Sequence, residues 1–166
     1  MRDEHRRPDG AGRPGPRTVT VDVQVEIVID RPVDVVAAYA ADPGHAPEWY
    51  AKIDSVEWRT EPPLREGSAV AFVARFLRRR LAYTYDVAEL VPGERLVMRT
   101  QQGPFPMETT YTWSPTSTGA TRMTLRNRGE PAGFSRISAP FMAPMMRRAN
   151  RKDLSRLQAI LEQADE

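Results

Sequence analysis

The stretch VTVDVQVEIVIDRPVDVVAAYAADP, residues 19–43, changes its hydrophobic period halfway along. Up to Asp30, valine and isoleucine alternate with polar residues, which is the period of a strand with one buried face. After Pro32, which suits the first turn of a helix, the apolar residues recur at helical spacing. Asp42 and Pro43 then provide a stop signal. This stretch therefore predicts one strand followed directly by a short helix.

A series of strand patterns comes next along the chain. The segment HAPEWYA, residues 45–51, is expected to form a second short helix. Turn signals such as VPGER, residues 91–95, and SPTSTG, residues 114–119, separate the alternating segments behind it. The six expected strands cover residues 53–60, 68–79, 81–91, 95–102, 107–114 and 120–130.

The C-terminal segment has the pattern of one long amphipathic helix. Leu154, Leu157 and Leu161 recur at helical spacing. Pro144 is expected to mark the start of the regular helix, because proline fits a first turn and disrupts a helix interior. Consecutive strands with segregated helices predict an α+β domain. We expect a curved seven-stranded antiparallel sheet wrapped around this helix, with two short helices between strands 1 and 2.

The N-terminal segment MRDEHRRPDGAGRPGPR, residues 1–17, has almost no apolar residues. It cannot bury enough surface to offset the entropy of ordering, so we expect a disordered tail rich in Arg, Pro and Gly. Its glycines at 10, 12 and 15 match a dinucleotide-binding motif in form, but no strand precedes them and prolines interrupt them. Residues 18–166 are expected to form a single domain.

Composition excludes several classes of function. A net charge of +2 does not argue for nucleic acid, which calls for a clustered basic face. The absence of cysteine excludes disulfides and thiolate chemistry, and with only two histidines a metal site is disfavoured. No apolar run approaches the roughly 20 residues of a membrane span, so no stable membrane insertion is expected. The charged N-terminus has no apolar signal region, which favours a cytoplasmic location.

The order of these segments resembles the helix-grip fold of the START-related superfamily, also called SRPBCC. The polyketide cyclase/dehydrase-like branch of small bacterial proteins is the most similar, and the resemblance covers residues 18–162. Four stretches carry it: IDRPVDVVAAYAADPGHAPEWYAKIDSVEW (29–58), YTYDVAELVPGERLVMRT (83–100), GATRMTL (119–125) and NRKDLSRLQAILE (150–162).

The resemblance implies a hollow, open at one end, between the curved sheet and the long helix. The strand LAYTYDVAEL, residues 81–90, places Tyr83 and Tyr85 on its apolar, inward face. Phenol hydroxyls need hydrogen-bond partners when they are buried. In a hollow, these tyrosines could offer a ring wall to an apolar ligand and a hydroxyl to its oxygen.

Strand alternation and helical spacing give the other inward positions, which together form an apolar and aromatic wall with a few polar points. The same pattern fits an ordinary core. Asn127 and Asn150 are the most informative, since a buried amide needs several partners. Trp49 and Tyr50 are expected at the mouth, and Phe105 as a lid. The expected ligand-binding residues are Phe72, Phe76, Tyr83, Tyr85, Met98, Tyr111, Trp113, Met123, Asn127, Met142, Met146 and Asn150.

Three functions are compatible with the sequence. The first is binding of a hydrophobic small molecule, lipid or polyketide-like, as a carrier or sensor without a cofactor. The second is a metal-free polyketide aromatase/cyclase that uses pocket tyrosines as hydrogen-bond donors. Arg75 and Arg99 are expected on the outer face, which leaves that enzyme without a strong electrophile. The third is a protein-interaction module. No catalytic residue is assigned, because His45 has no serine in a strained turn beside it, and the oligomeric state is left open.

Overall fold

A computed structural model of the chain describes residues 20–76, 78–102, 106–130 and 139–164. It confirms the predicted α+β helix-grip architecture, with two short helices between the first two strands and one long helix at the end. The expected tail, residues 1–17, and Phe105 lie outside the described residues. The elements are β1 (Val21–Ile29), α1 (Val33–Ala41), a 3-10 turn (Pro43–His45), α2 (Ala46–Trp49), β2 (Ile53–Trp58), β3 (Ala69–Phe76), β4 (Arg79–Val91), β5 (Arg95–Thr100), β6 (Met107–Pro115), β7 (Thr121–Gly129) and α3 (Ala139–Gln163).

The seven strands form one antiparallel sheet in the order β1-β7-β6-β5-β4-β3-β2. Strands β2 to β7 are a meander, and β1 pairs with β7 at the far edge, where Val25 lies opposite Leu125. The alternation that predicted β1 is seen in its burial, because Val21, Val23 and Val25 are buried and the polar residues between them are exposed. Register shifts interrupt the pairing of β2 with β3 and of β4 with β5.

Helix α1 begins directly after Pro32 and buries one face, which contains Val36, Ala37 and Ala40. It ends at Ala41, and Oδ1 of the following Asp42 accepts a hydrogen bond of 2.8 Å from the backbone N–H of Gly44. This contact replaces the helix ladder, as aspartate side chains commonly do at turns. The predicted stop signal therefore acts through the side chain of Asp42 as well as through the following proline.

The core lies between the concave face of the sheet and the C-terminal half of α3. Leu154, Leu157 and Leu161 are 1%, 0% and 4% exposed, and they pack in one cluster with Trp49 and Met123. Each such side chain contributes about 1.5–3 kcal/mol of transfer free energy when it is fully buried. The outer face of the sheet carries charged side chains beside apolar residues such as Val73 and Val97.

Cross-strand ion pairs cover part of that outer face. Arg126 Nε donates to Asp22 across β7 and β1 at 2.7 Å, and Arg99 Nε donates to Glu108 across β5 and β6 at 2.8 Å. Exposed pairs of this kind contribute little to stability. They do show that Arg99 points away from the concave face, as its strand register predicts.

Helix α3 begins earlier than the sequence predicts. It starts at Ala139 and contains Pro144 in its interior, so the prediction of a start near Pro144 was wrong. Proline at this position forgoes one hydrogen bond, to the carbonyl of Pro140. Met142 and Met146, two residues before and after Pro144, are half-buried in this helix. None of the helices in the described ranges has the length and apolar content that a membrane span requires.

Candidate functional site

An interior cavity of about 160 Å³ lies on the concave face of the sheet. Every strand from β2 to β7 contributes to its wall, because inward side chains recur at every second position of a strand. The chain segment directly after α2 closes one side. The lining residues are Tyr50, Ile53, Phe72, Ala74, Tyr83, Tyr85, Met98, Thr109, Tyr111 and Asn127.

Two of its tyrosines are bonded to each other. The hydroxyls of Tyr50 and Tyr111 lie 2.5 Å apart, and the Tyr50 ring stacks on Trp49 with centroids at 3.9 Å. Burial is the main cause that raises the pKa of both phenols above the ordinary value of 10.0. Both groups are therefore neutral at physiological pH, and each acts as a hydrogen-bonding group rather than as a base.

The two phenols of β4 have different surroundings. Tyr85 meets Phe72 edge to face, with ring centroids at 5.6 Å. Burial raises the pKa of Tyr85, and a hydrogen bond with the Thr109 side chain partly offsets that rise. Tyr83 also lines the cavity, but its hydroxyl has no hydrogen-bond partner among the residues that the structure describes. Tyr83 is thus a phenol that could donate to a guest.

A chain of amides connects the cavity wall to α3. Asn127 Nδ2 donates to Thr109 Oγ1 at 2.9 Å, and Asn150 Nδ2 donates to Asn127 Oδ1 at 2.6 Å. Asn150 is only 6% exposed. Because its amide is used by Asn127, the side chain of Asn150 lies behind the cavity wall and not in it.

Asp153 lies one turn further along α3 and is also buried. Its Oδ1 accepts a hydrogen bond of 3.0 Å from the backbone N–H of Ala51, the residue after Tyr50. Burial raises the pKa of this carboxyl, and the Ala51 N–H opposes the rise. Asp153 therefore attaches the segment that carries Tyr50 to the long helix.

The structure brings together half of the residues that the sequence analysis selected. Those that line the interior cavity are Phe72, Tyr83, Tyr85, Met98, Tyr111 and Asn127. Met123 is fully enclosed in the core, and Trp113 lines a different cavity. Met142 and Met146 are half-buried on α3 without lining the cavity, and the Phe76 side chain lies outside the described part of the chain. Ligand contact by any of them stays a prediction.

Sequence analysis missed four lining residues or placed them differently. Tyr50 was expected at the mouth and lies in the wall instead. Thr109 and Ala74 each share a strand face with a selected residue, Tyr111 and Phe72 respectively, so the alternation that selected those two also marks their neighbours. Ile53 is at the start of β2, where a register shift hides the period.

The electrostatic character of this cavity is neutral. No charged side chain is among the lining residues that the structure describes. In the same described ranges, no group of three His, Cys, Asp or Glu residues has the arrangement of a metal site. The wall therefore offers rings, methyl groups, hydroxyls and one amide, which suit an uncharged and largely apolar guest.

A second, larger cavity of about 760 Å³ lies beside α1, between the loop before β3 and the turn that joins β4 to β5. Trp58 and Trp113 are in its wall, and Asp34 and Asp42 are at its α1 side. We call it the outer cavity. The two cavities have no lining residue in common.

The sequence pattern of the family described as polyketide cyclase / dehydrase and lipid transport matches residues 20–162. The chain belongs to this family. The match confirms the resemblance to the polyketide cyclase/dehydrase-like branch of the helix-grip proteins. No curated protein matches the chain.

Solved structures of similar fold include aromatase/cyclases. TTHA0849 from Thermus thermophilus is 18% identical, with a TM-score of 0.72 over 87% of this chain and 99% of its own. The Zhui aromatase/cyclase from Streptomyces sp. R1128 is 16% identical, with a TM-score of 0.70 over 89% and 96%. StfQ, a di-domain aromatase/cyclase of the steffimycin pathway, is 12% identical with a TM-score of 0.72, and this chain spans 52% of it. At these identities the likeness shows the fold.

Proposed function

We propose that the interior cavity binds one uncharged, apolar small molecule that carries a carbonyl or hydroxyl oxygen, and that the protein is a carrier or sensor for a lipid or polyketide-like compound. The observation that carries this proposal is the Tyr83 hydroxyl, which has no hydrogen-bond partner in the described part of the chain and lies in the wall of a void. A guest oxygen would provide a partner for this half-buried phenol in place of solvent.

The neutrality of the wall selects against charged guests. Burial raises the pKa of Tyr50, Tyr85 and Tyr111, so these phenols stay protonated. An anion would find no cation to pair with among the described lining residues, and it would lose its hydration on entry. A neutral oxygen acceptor loses much less hydration free energy on entry, and it can accept a hydrogen bond from Tyr83.

The volume limits what fits inside. An apolar cavity of about 150 Å³ in another protein holds benzene, so about 160 Å³ corresponds to one ring or a short alkyl chain. A longer lipid or polyketide would place one end in this void. Met98 at the wall has a flexible thioether that can adjust to an irregular guest.

Titration calorimetry with acetophenone tests the proposal. This ligand combines one ring with a carbonyl, while ethylbenzene has similar size without the oxygen and benzoate adds a charge. We expect one equivalent of acetophenone to bind, ethylbenzene to bind about threefold to tenfold more weakly for want of a hydrogen bond, and benzoate to bind least. Tyr83→Phe should remove the difference between acetophenone and ethylbenzene.

The matched control is Tyr85→Phe, since the Thr109 side chain is close enough to the Tyr85 hydroxyl to lower its pKa. It should leave the preference for acetophenone over ethylbenzene in place. Equal affinities of the three ligands, or no saturable binding of any of them, would contradict the proposal.

An aromatase/cyclase activity is the second candidate, and the cluster of neutral phenols favours it. Tyr83 and the Tyr50–Tyr111 pair could donate hydrogen bonds to an enolate oxygen, and one such donor contributes about 10²–10³ in rate in known enzymes. Arg99 is bonded to Glu108 on the outer face, so it is not positioned to assist. For this reason ligand binding, and not catalysis, is the first candidate function. Incubation with a linear poly-β-ketone thioester should give a cyclic product above the uncatalysed rate, and an unchanged rate would exclude this activity for that substrate.

A further inference from the structure

The outer cavity has the chemistry of a second binding site. At about 760 Å³ it is within the usual size range of small-molecule pockets, and it is several times larger than the interior cavity. Its α1 side is flat, since Ala37, Ala38 and Ala41 present only methyl groups there. Leu64 contributes to the apolar part of the wall. A guest could therefore lie flat against α1.

Tryptophan rings form two parts of this wall. Trp58 is half-buried at the end of β2, and Trp113 is 4% exposed on β6. Trp113 meets Tyr111 with ring centroids at 6.0 Å, and Tyr111 lines the interior cavity. Neighbouring rings of β6 therefore contribute to the walls of both cavities.

The charge of the outer cavity has a single sign. Asp34 and Asp42 are exposed, and the described lining residues include no arginine, lysine or histidine. The Asp34 carboxylate has no hydrogen bond or ion pair within the described residues. One carboxylate oxygen of Asp42 accepts a hydrogen bond from the Gly44 N–H, and the other oxygen is 3.9 Å from His45 Nε2. In a chain whose net charge is +2, this rim is locally acidic.

We propose that the outer cavity binds a lipophilic organic cation, with its ammonium group near Asp34 and Asp42 and its hydrocarbon part against Trp58 and the alanines of α1. The indole of Trp58 is a large apolar ring against which a hydrocarbon group can pack. Carboxylates at the rim add attraction that solvent screens only in part. An anion would be repelled at the same rim, and a neutral hydrocarbon would gain nothing from the two carboxylates.

This site is independent of the interior one in its chemistry and in its test. The interior wall is uncharged and suits a neutral guest, whereas the outer cavity combines acidic and aromatic groups. Failure of acetophenone to bind would count against the proposed function alone. Failure of the cation described next would count against the outer site alone.

Calorimetry and tryptophan fluorescence with benzyltrimethylammonium test the proposal, with neopentylbenzene as the neutral isostere. We expect one cation to bind about fivefold to tenfold more tightly than the isostere and to change the emission, since Trp58 and Trp113 line the site. Asp34→Asn combined with Asp42→Asn should abolish this preference. The asparagine at 42 keeps an oxygen for the Gly44 N–H, so the turn is retained.

Trp58→Leu should weaken binding of the cation about threefold to tenfold, because a smaller side chain replaces the ring against which the hydrocarbon part packs. Tyr83→Phe, in the interior cavity, is the matched control and should leave the cation affinity unchanged. If the double variant does not fold, Asp34→Asn alone decides, because Asp34 is exposed and its carboxylate makes no described contact. Equal affinity for cation and isostere, unchanged binding in the aspartate variants, or an equal loss in Tyr83→Phe would overturn the proposal.

Discussion

Individual polar side chains connect α3 to the concave face of the sheet. The sequence indicated on which face these side chains lie, but it did not indicate their hydrogen-bond partners. Asn127 and Asn150 were selected because a buried amide needs partners. The structure shows that they are each other's partner at 2.6 Å. Alternation and helical spacing place each residue on a face, but the distance between two elements is a property of the folded chain. Such pairs could therefore not be assigned from the sequence.

Replacing Asn150 by leucine should destabilise the fold. Asn127 Oδ1 would lose its donor in a part-buried site, which costs about 1–3 kcal/mol. The expected result is a decrease of that size in the free energy of unfolding measured with urea. Ser155→Ala, at an exposed position of the same helix, is the control and should change it by less than about 0.5 kcal/mol. A neutral or stabilising effect of Asn150→Leu would show that the amide chain is not formed.

The buried carboxyl of Asp153 should make stability depend on pH. Burial raises its pKa in the folded state above the ordinary 3.8, so the folded chain holds this proton more tightly than the unfolded chain does. Its contribution is therefore most favourable below pH 3.8 and is lost as the pH rises through the folded-state pKa. In Asp153→Asn, which keeps an oxygen for the Ala51 N–H, this loss is absent.

Thermal unfolding of both proteins from about pH 3.5 to about pH 6 measures this effect. The melting temperature of Asp153→Asn relative to the unchanged protein should rise across that range. A relative melting temperature that stays constant or falls would contradict a raised pKa for Asp153.

Elements were predicted best where local pattern and tertiary structure agree. All seven strands and the two short helices are in their expected order, and most strand ends lie within a few residues of the prediction. Alternation and turn residues act locally, so the sequence contains them in full. The start of α3 differs because the cost of Pro144 can be read locally, whereas the half-burial of Met142 and Met146 depends on the folded chain.

Substitution of Pro144 by alanine distinguishes a helix start at Ala139 from a start at Pro144, because the free energy of unfolding should change in opposite directions in the two cases. With the helix beginning at Ala139, alanine restores an interior hydrogen bond and should raise the free energy of unfolding by about 1–2 kcal/mol. A helix that began at Pro144 would instead lose a favourable first-turn proline and be slightly destabilised. Urea unfolding gives the sign, and Pro140→Ala, in the first turn, is the control with little expected effect.

At the scale of the whole molecule, the sequence predicted the fold and a concave wall, but it did not show where the wall leaves a void. Met98 and Met123 have the same inward alternation, yet Met98 lines the interior cavity and Met123 is fully enclosed. Trp113 lines the outer cavity, although Tyr111, two residues earlier on the same strand, lines the interior cavity. Voids depend on how side chains of many strands fill space together, and no local period encodes that.

The central claim is that the interior cavity on the concave face of the sheet binds a small neutral guest. Ala74 lines that space, and Ala82 lies exposed on the adjacent strand, so Ala74→Leu and Ala82→Leu form a matched pair. The measurement is the calorimetric affinity for acetophenone. Ala74→Leu should reduce the affinity at least about tenfold by occupying the void, while Ala82→Leu leaves it unchanged. Undiminished binding by a folded Ala74→Leu protein would contradict the claim.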